Sequence, residues 1–415
     1  MWVTALTVAG GVLVGSAVVY VVGQPRSSST PGPSTSIPIS AAPGSISPSM
    51  LQTSESPSAA ESAQPSLGVA PGWSVSDFTA ADPGDQLERI VALGDQIFVI
   101  GSHGGQGGIW HSVDGVGWHL ASGIPHVDTV LGIQIHGIAR SDAGYVAVGA
   151  NYAVDVAFPL IWHSLDGDHW TDVTPNPREC LSLAAVAAVA SKFVAVGGVC
   201  RYDAEANPHS DAVSFASEDG VHWERSPSSK ELIDLDLGDV TWSGSEAIAT
   251  GVHFGTWSQT FRSVDGLTWA ASPGGGVPAA GFIRRLSWAI GRFVGFGQHN
   301  DSAGRPHATV WRSTDAQEWS QSVVGGAKTQ ASGIALLGQA WVLVGGVIQS
   351  DTTSGPIVEW RSADGITWGE PRVIILNGGN FISDVAAIGT RLIAIGGVPA
   401  PNGEQMWNPV ILRGN

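Results

Sequence analysis

Six aspartates could do acid–base or metal chemistry if the fold brought them together: Asp114, Asp166, Asp219, Asp265, Asp315 and Asp364. They stand 52, 53, 46, 50 and 49 residues apart. Each occupies the same nonamer, aromatic-x-Ser-x-Asp-Gly-x-x-Trp, first met at Trp110–Trp118; one copy alone replaces the Gly, with Ala316 after Asp315. A period near fifty residues marks an array of one supersecondary unit, and a residue present in every unit serves the unit. Asp and Ser bond nearby backbone groups, Gly takes φ > 0 without a Cβ clash, and Trp supplies a broad apolar plate. The six aspartates are therefore read as structural turn residues rather than catalytic groups or metal ligands.

A second element has seven copies, short apolar runs that close on Gly101, Gly149, Gly197, Gly251, Gly297, Gly345 and Gly396. Eleven residues before each Gly lies an apolar residue: Ile90, Ile138, Val186, Val240, Leu286, Ile334 and Val385. Constant spacing implies strand, tight turn and strand in fixed register. Gly94-Asp95, Gly244-Ser245, Gly338-Gln339 and Gly389-Thr390 fit two-residue hairpins. Each unit then reads as inner hairpin, variable loop, third strand, Asp turn and fourth strand, which is a propeller blade. Seven hairpins against six Asp turns is resolved at the termini. The last unit stops after Val410-Ile411-Leu412-Arg413, and Trp73, 45 residues before Trp118, supplies the missing strand. The expectation is an all-β, seven-bladed β-propeller of four-stranded antiparallel blades over residues 71–415. Its ring is closed by N-terminal strand exchange, with Ser74-Val75 beside Val410-Ile411 and no free sheet edge.

In this order the hairpin turns and Asp turns share one face, and the loops after each closing Gly share the other. Those loops carry His103, Tyr152, Arg201, Tyr202, His253, Trp257, His299, Arg305 and Trp407. His103, His253 and His299 fall at one offset, two residues past the Gly. They read either as donors ringed around a sugar, peptide or metal, or as solvated loop residues. Arg89, Asp239, Arg285 and Asp384 share the position before the apolar marker, where they line the central channel or pair between blades. The acids of the 201–211 loop lack the spacing of a dedicated calcium loop. No Walker loop, zinc motif or nucleophile elbow is present, so no metal site and no cofactor is expected.

Charged residues are 13% of the chain, Gly is 55 of 415, and the net charge of −17 argues against nucleic acid or an anionic membrane surface as partner. Residues 1–23 are apolar or small and just long enough to span a bilayer. A cleaved signal peptide is the rival, but no basic residue precedes the run. Residues 24–70 are Ser-, Pro- and Thr-rich, with Arg26, Glu55 and Glu61 the only charges, and read as a disordered linker. Anchor, stalk and domain in that order imply an extracytoplasmic, membrane-anchored protein, or a secreted one if the segment is cleaved. Such an environment oxidises thiols, and Cys180 and Cys200 flank the third hairpin. The hairpin register there sums facing residues to 381, whereas the cysteines sum to 380. A disulfide therefore needs a bulge, and two buried thiols are the alternative.

The Ser-x-Asp-Gly-x-x-Trp turns resemble the Asp boxes (BNR repeats) of the sialidase-like propeller superfamily, over roughly residues 71–415. They are one residue shorter than the common form. The resemblance implies a propeller fold, and for sialidases an arginine triad and a late tyrosine nucleophile. Leu87-Glu88-Arg89-Ile90-Val91 approaches the first arginine motif without its Phe and Pro. The only tyrosines are Tyr20, Tyr145, Tyr152 and Tyr202, so no late nucleophile exists and a non-sialidase member is expected. Two functions remain open. One is a monomeric, surface-tethered, non-catalytic propeller that binds a glycan, peptide or protein through one face. The other is a glycoside hydrolase with two carboxylates about 5–10 Å apart.

Overall fold

The computed structural model describes residue 69 and residues 71–414, apart from 126–131, 154–155, 177, 203–207, 253–257, 277–280, 351–352, 376–379 and 401–406. The expected anchor at 1–23, and all of the expected linker at 24–70 except Val69, lie outside them. Val69 forms an antiparallel bridge with Ile375. No helix among the described residues is long and apolar enough to cross a membrane.

The described residues form seven four-stranded antiparallel sheets, each a meander with its first strand innermost. Inner strands run Gln86–Leu93, Gly132–Ser141, Leu181–Val189, Asp236–Trp242, Gly281–Ala289, Thr329–Leu337 and Phe381–Ile388, defining blades 1 to 7. The fourth strand of blade 7 is Trp73–Asp77, antiparallel to Trp407–Gly414. Its register differs from the expected one. Ser74 faces Arg413 and Val75 faces Leu412, while Val410 lies opposite Asp77. The anchor of this register is Trp73, which faces Gly414, whose missing side chain leaves room for the indole. The Trp73 Nε1–H donates to Glu359 at 3.2 Å.

Blades pack face to face through the alternate apolar residues of their strands. Between blades 1 and 2, Phe98, Ile100 and Ile109 meet Ile133, Ile138, Tyr145, Leu160 and Trp162. The motif aromatics Trp110, Trp162, Trp311 and Trp360 are completely buried. Each would contribute about 2–3 kcal/mol by burial alone.

Every inner strand carries a bulge at the same place. The ladder slips by one residue between Leu87 and Arg89, Ile135 and Gly137, Leu183 and Ala185, and Leu237 and Asp239. It slips again between Ile283 and Arg285, Ala331 and Gly333, and Ile382 and Asp384. The bulge explains the closing glycines. A Cβ on Gly101 would stand 1.9 Å from the Gln86 carbonyl oxygen, and Gly149, Gly197, Gly297, Gly345 and Gly396 meet the equivalent carbonyl at 2.0–2.1 Å. These glycines are required by close backbone approach. Gly251 is the variant, where Phe261 occupies the space instead.

Five of the six Ser-x-Asp turns share one hydrogen-bond scheme, and the Ser313 turn keeps it except for the bond to Ser Oγ from the residue after Asp. Ser112 Oγ donates to Asp114 Oδ1 at 3.1 Å and accepts from Gly115 N at 2.9 Å. Asp114 Oδ1 also accepts from Val116 N at 2.8 Å and Gly117 N at 3.0 Å. Gly115 has φ 72°, and Ala316 adopts φ 56° at the same position, at the steric cost that glycine avoids elsewhere. Each aspartate is thus consumed by its own blade.

Candidate functional site: the channel mouth and loop face

Each inner strand enters the ring from the loop face. The residue two before the bulge therefore occupies the channel mouth, and in blade order these are Gln86, Gln134, Ser182, Asp236, Phe282, Gln330 and Phe381. Gln86, Gln134 and Gln330 are exposed, while Phe282 and Phe381 are partly buried. An amide side chain offers a donor pair and an acceptor together, and a phenyl ring offers an apolar plate.

Several of the expected loop residues lean on this ring. Tyr152 Oη lies 3.0 Å from Ser182 Oγ, and its ring centroid is 5.9 Å from that of His136. Trp407 packs edge-on against Phe381 with centroids 5.0 Å apart. His103 sits outside the mouth, its Nδ1 2.8 Å from Asp85 Oδ2 and its ring edge-on to Trp110. His299 stays within blade 5, where it pairs with His307 across the second and third strands. Arg305 folds back on Asp301, with Nε to Oδ2 at 2.8 Å. His103 thus finds its partner within its own blade, whereas the buried His299 Nδ1 has no hydrogen-bond partner among the described residues. His253, Trp257 and the Tyr202 side chain lie outside what is described.

Arg201 belongs to the most highly charged cluster of the face. Its Nε donates to both oxygens of Asp211 at 3.0–3.1 Å, and its Nη2 donates to Asp234. Asp234, a non-glycine residue at φ 61°, also lies 2.9 Å from His209 Nδ1. Next to it Ser210 Oγ donates to Asp236. Burial pushes the Asp236 carboxyl above its ordinary range; the Ser210 bond opposes this and Asp211 reinforces it. The Cys180–Cys200 disulfide, with Cα atoms 5.4 Å apart, closes this end of blade 3. The bulge after Leu183 changes the facing sum from 381 to 380 and so brings the two cysteines into register.

Below the mouth the bulged residues and their neighbours form a charged girdle. Asp239 Oδ2 accepts from Leu286 N at 2.7 Å, and Asp384 Oδ2 accepts from Ile90 N at 3.2 Å. Both bonds run from one blade to the next. Arg89 Nη1 donates to the His136 carbonyl at 3.4 Å, and His136 Nδ1–H donates to the Leu183 carbonyl at 2.6 Å. Burial holds His136 below its ordinary value. Burial, with Arg89 adding to it and Asp384 opposing, pushes Arg285 down to about 10. Burial also raises Glu88 and Asp384, against the pull of the arginines. The four charges expected at this position therefore act as links between blades. A cavity of about 290 Å³ is lined by three of these charges, Arg89, Arg285 and Asp384, and by apolar residues that include Leu286, Ile334 and Val385.

The sequence reading missed the mouth ring, Asp82, Asp85, Asp234 and Asp236. The signal was available in the ring's case, since every member lies fifteen residues before a closing Gly: Gln86 before Gly101, Gln330 before Gly345.

Seven four-stranded antiparallel blades define a seven-bladed β-propeller. No protein-family model and no curated protein matches the chain. Among solved structures, YCF48 bound to D1 peptide is similar at 12% identity and a TM-score of 0.53, covering 85% of this chain and 99% of that one. Trypanosoma rangeli sialidase aligns at 12% identity and a TM-score of 0.48, over 83% of this chain and 60% of its own. A protein of unknown function from Dyadobacter fermentans aligns at 12% identity and a TM-score of 0.44, over 83% of this chain and 100% of its own. At such identities the shared property is the fold.

Proposed function

We propose that this protein is a surface-tethered, non-catalytic propeller that binds a glycan or peptide ligand at its channel mouth. In this reading residues 1–23 anchor it outside the cytoplasm, the 24–70 segment is a stalk, and the strand at Trp73 closes a monomeric ring. The repeated Ser-x-Asp turns are Asp boxes that build the ring and take no part in binding. The observation that carries the proposal is the mouth ring, where the exposed amides of Gln86, Gln134 and Gln330 share the rim with Phe282 and Phe381, which flank Gln330. Three amides can bond sugar hydroxyls or peptide groups, and the rings, with Trp407, can cover a ligand's apolar face. The likeness to a fold solved with a bound peptide agrees with it.

Sialidase chemistry is not part of this reading. Tyr145 is buried against Phe98 on the hairpin-turn side, and Tyr152 bonds Ser182. A second reading rests on one observation. Asp211, bonded to Arg201, and its neighbour Asp236, raised by burial, place two carboxyl groups together as a hydrolase requires. Glycan, cell-wall and peptide arrays probed with the full chain test the first reading. The triple variant Gln86→Ala, Gln134→Ala, Gln330→Ala should lose binding at least about tenfold while retaining its circular dichroism, about 1.4 kcal/mol. Unchanged binding in the variant would refute the mouth as the site. Turnover in a parallel glycosidase screen, lost in Asp236→Asn, would establish the second reading instead.

A further inference from the structure

Asp82-Pro83-Gly84-Asp85 is a turn with a specific geometry. Asp85 N donates to the Asp82 carbonyl at 3.1 Å, and Gly84 adopts φ 96°. Pro second and a left-handed Gly third is the signature of a type II turn, which sets its first and fourth residues side by side. Gly84 N donates to the Trp407 carbonyl at 2.9 Å, pinning the turn to the loop face where blades 7 and 1 meet. His103 reaches the same point from the end of the second strand of blade 1. One ligand atom from each of Asp82, Asp85 and His103 falls within 4.8 Å of the others.

The charge balance here differs from that of Glu359, Asp239 and Asp384, the other acids with almost no exposure among the described residues. Glu359 meets Arg361 at 3.2 Å and Arg372 at 3.0 Å; Asp384 meets Arg285 at 3.9 Å; Asp239 also faces Arg285. The side chain of Asp85 is 3% exposed and has no arginine or lysine partner. Its bonds come from His103 Nδ1, Asp82 N at 2.9 Å and Gly104 N at 2.9 Å, and the nearest additional charge is a second acid, Asp82. Two carboxylates set together around a buried position lack the arginine that Glu359, Asp239 and Asp384 each have nearby. Backbone N–H groups carry no formal charge to offset them.

We propose that Asp82, Asp85 and His103 form a divalent transition-metal site, with zinc its natural occupant. The imidazole favours zinc, manganese or cobalt over calcium, whose ligands are oxygen throughout. Ligand atoms on a tetrahedral ion, with bonds of about 2.0–2.2 Å, stand roughly 3.3–3.6 Å apart. The 2.8 Å between His103 Nδ1 and Asp85 Oδ2 opens to that span through a small rotation of the imidazole. The ion takes the place of the proton now shared by those two atoms, and the His103 proton moves to Nε2, which faces outward. Asp82, exposed at the rim, completes a three-residue set that leaves one position open toward solvent. The site adjoins Gln86 of the mouth ring, but none of its three ligand residues belongs to that ring.

Isothermal titration of chelator-treated full-length protein with zinc chloride tests this, with calcium chloride as the comparison. One equivalent should bind, with calcium at least about a hundredfold weaker. Asp82→Asn and His103→Ala should each weaken zinc binding at least about tenfold. Asp82→Asn alters an exposed side chain with no structural hydrogen bond of its own, so it reports on ligation even if Asp85→Asn or His103→Ala perturbs folding. Zinc should also raise the melting temperature of the parent and not of His103→Ala. No measurable zinc binding, or binding equally strong in both Asp82→Asn and His103→Ala, would overturn the assignment. Calcium binding as tight as zinc, indifferent to His103→Ala, would overturn it as well.

Discussion

Arg285 and Asp384 stand 3.9 Å apart although a whole blade separates the strands that carry them. Blade 6 contributes Gly333 at the equivalent position, and a Cβ there would lie 2.4 Å from Asp384 Oδ1. The missing side chain lets the carboxylate of blade 7 reach the guanidinium of blade 5 while it also accepts the Ile90 N–H of blade 1. One acid therefore couples three blades around the axis.

Gly333→Ala should be destabilising through steric overlap alone, since this residue is not in the left-handed region. The added methyl would also stand 2.6 Å from Val385 N, so backbone as well as side chain must shift. A loss of about 1–3 kcal/mol is expected, as for other overpacked interiors. Urea unfolding checks it; an unchanged midpoint would show that the girdle is loose.

The disulfide encloses a sequence separation of 20 residues. Chain entropy assigns a loop of that size about 3 kcal/mol. The Cys180→Ala, Cys200→Ala variant should unfold at correspondingly lower denaturant, and thiol titration of the denatured, non-reduced parent should find no free thiol.

Acid should reach the Ser-x-Asp turns in a defined window. The Thr367 and Ile366 N–H groups hold Asp364 down to about 2, from an ordinary 3.8. Asp265 also falls to about 2: burial pushes it upward, and the N–H groups of Thr268 and Leu267 outweigh that effect. A carboxyl whose folded value is depressed stabilises the fold above its unfolded value, and that contribution disappears as pH falls through the folded one. The stability difference between the parent and Asp364→Asn should therefore be constant above pH of about 4 and shrink toward pH of about 2. Comparing the two proteins cancels Glu88, Asp236 and Asp384, whose raised values act in the opposite direction. A difference flat to pH of about 2 would contradict the hydrogen-bond scheme.

Sialosides should not be turned over. No described tyrosine is placed as a nucleophile, and none follows Tyr202 in the chain. Release of free sialic acid, abolished by Arg89→Ala, would restore the enzyme reading.

The blade count was legible because two different repeats, one of seven and one of six, had to be reconciled at the termini. What could not be read was any displacement smaller than a repeat. Val189 and Lys192 fixed the third hairpin, yet the cysteines lay one residue out until the bulge after Leu183 was seen. The bulge left its trace in the sequence as glycine, but a glycine alone does not reveal that a carbonyl will lie where its side chain would be. Asp85 and His103, eighteen residues apart, had no common period to connect them. Their meeting depends on how the chain enters blade 1, which happens once in the ring and leaves no repeat.

The bulge also separates two selective pressures that most strands must satisfy together. Its seven extra residues are Glu88, His136, Ala184, Gly238, Arg284, Ser332 and Ser383, while the apolar markers beyond them stay Ile, Val or Leu. Because the added residue stands outside the ladder, its identity is not set by strand register, although His136 also bonds the Leu183 carbonyl of the next blade. The channel can thus acquire acid, base, hydroxyl or nothing in any blade, one position at a time. A scaffold built this way can change its inner chemistry by point substitution at seven positions, some of which, such as Glu88 and Arg284, already act on each other across the channel.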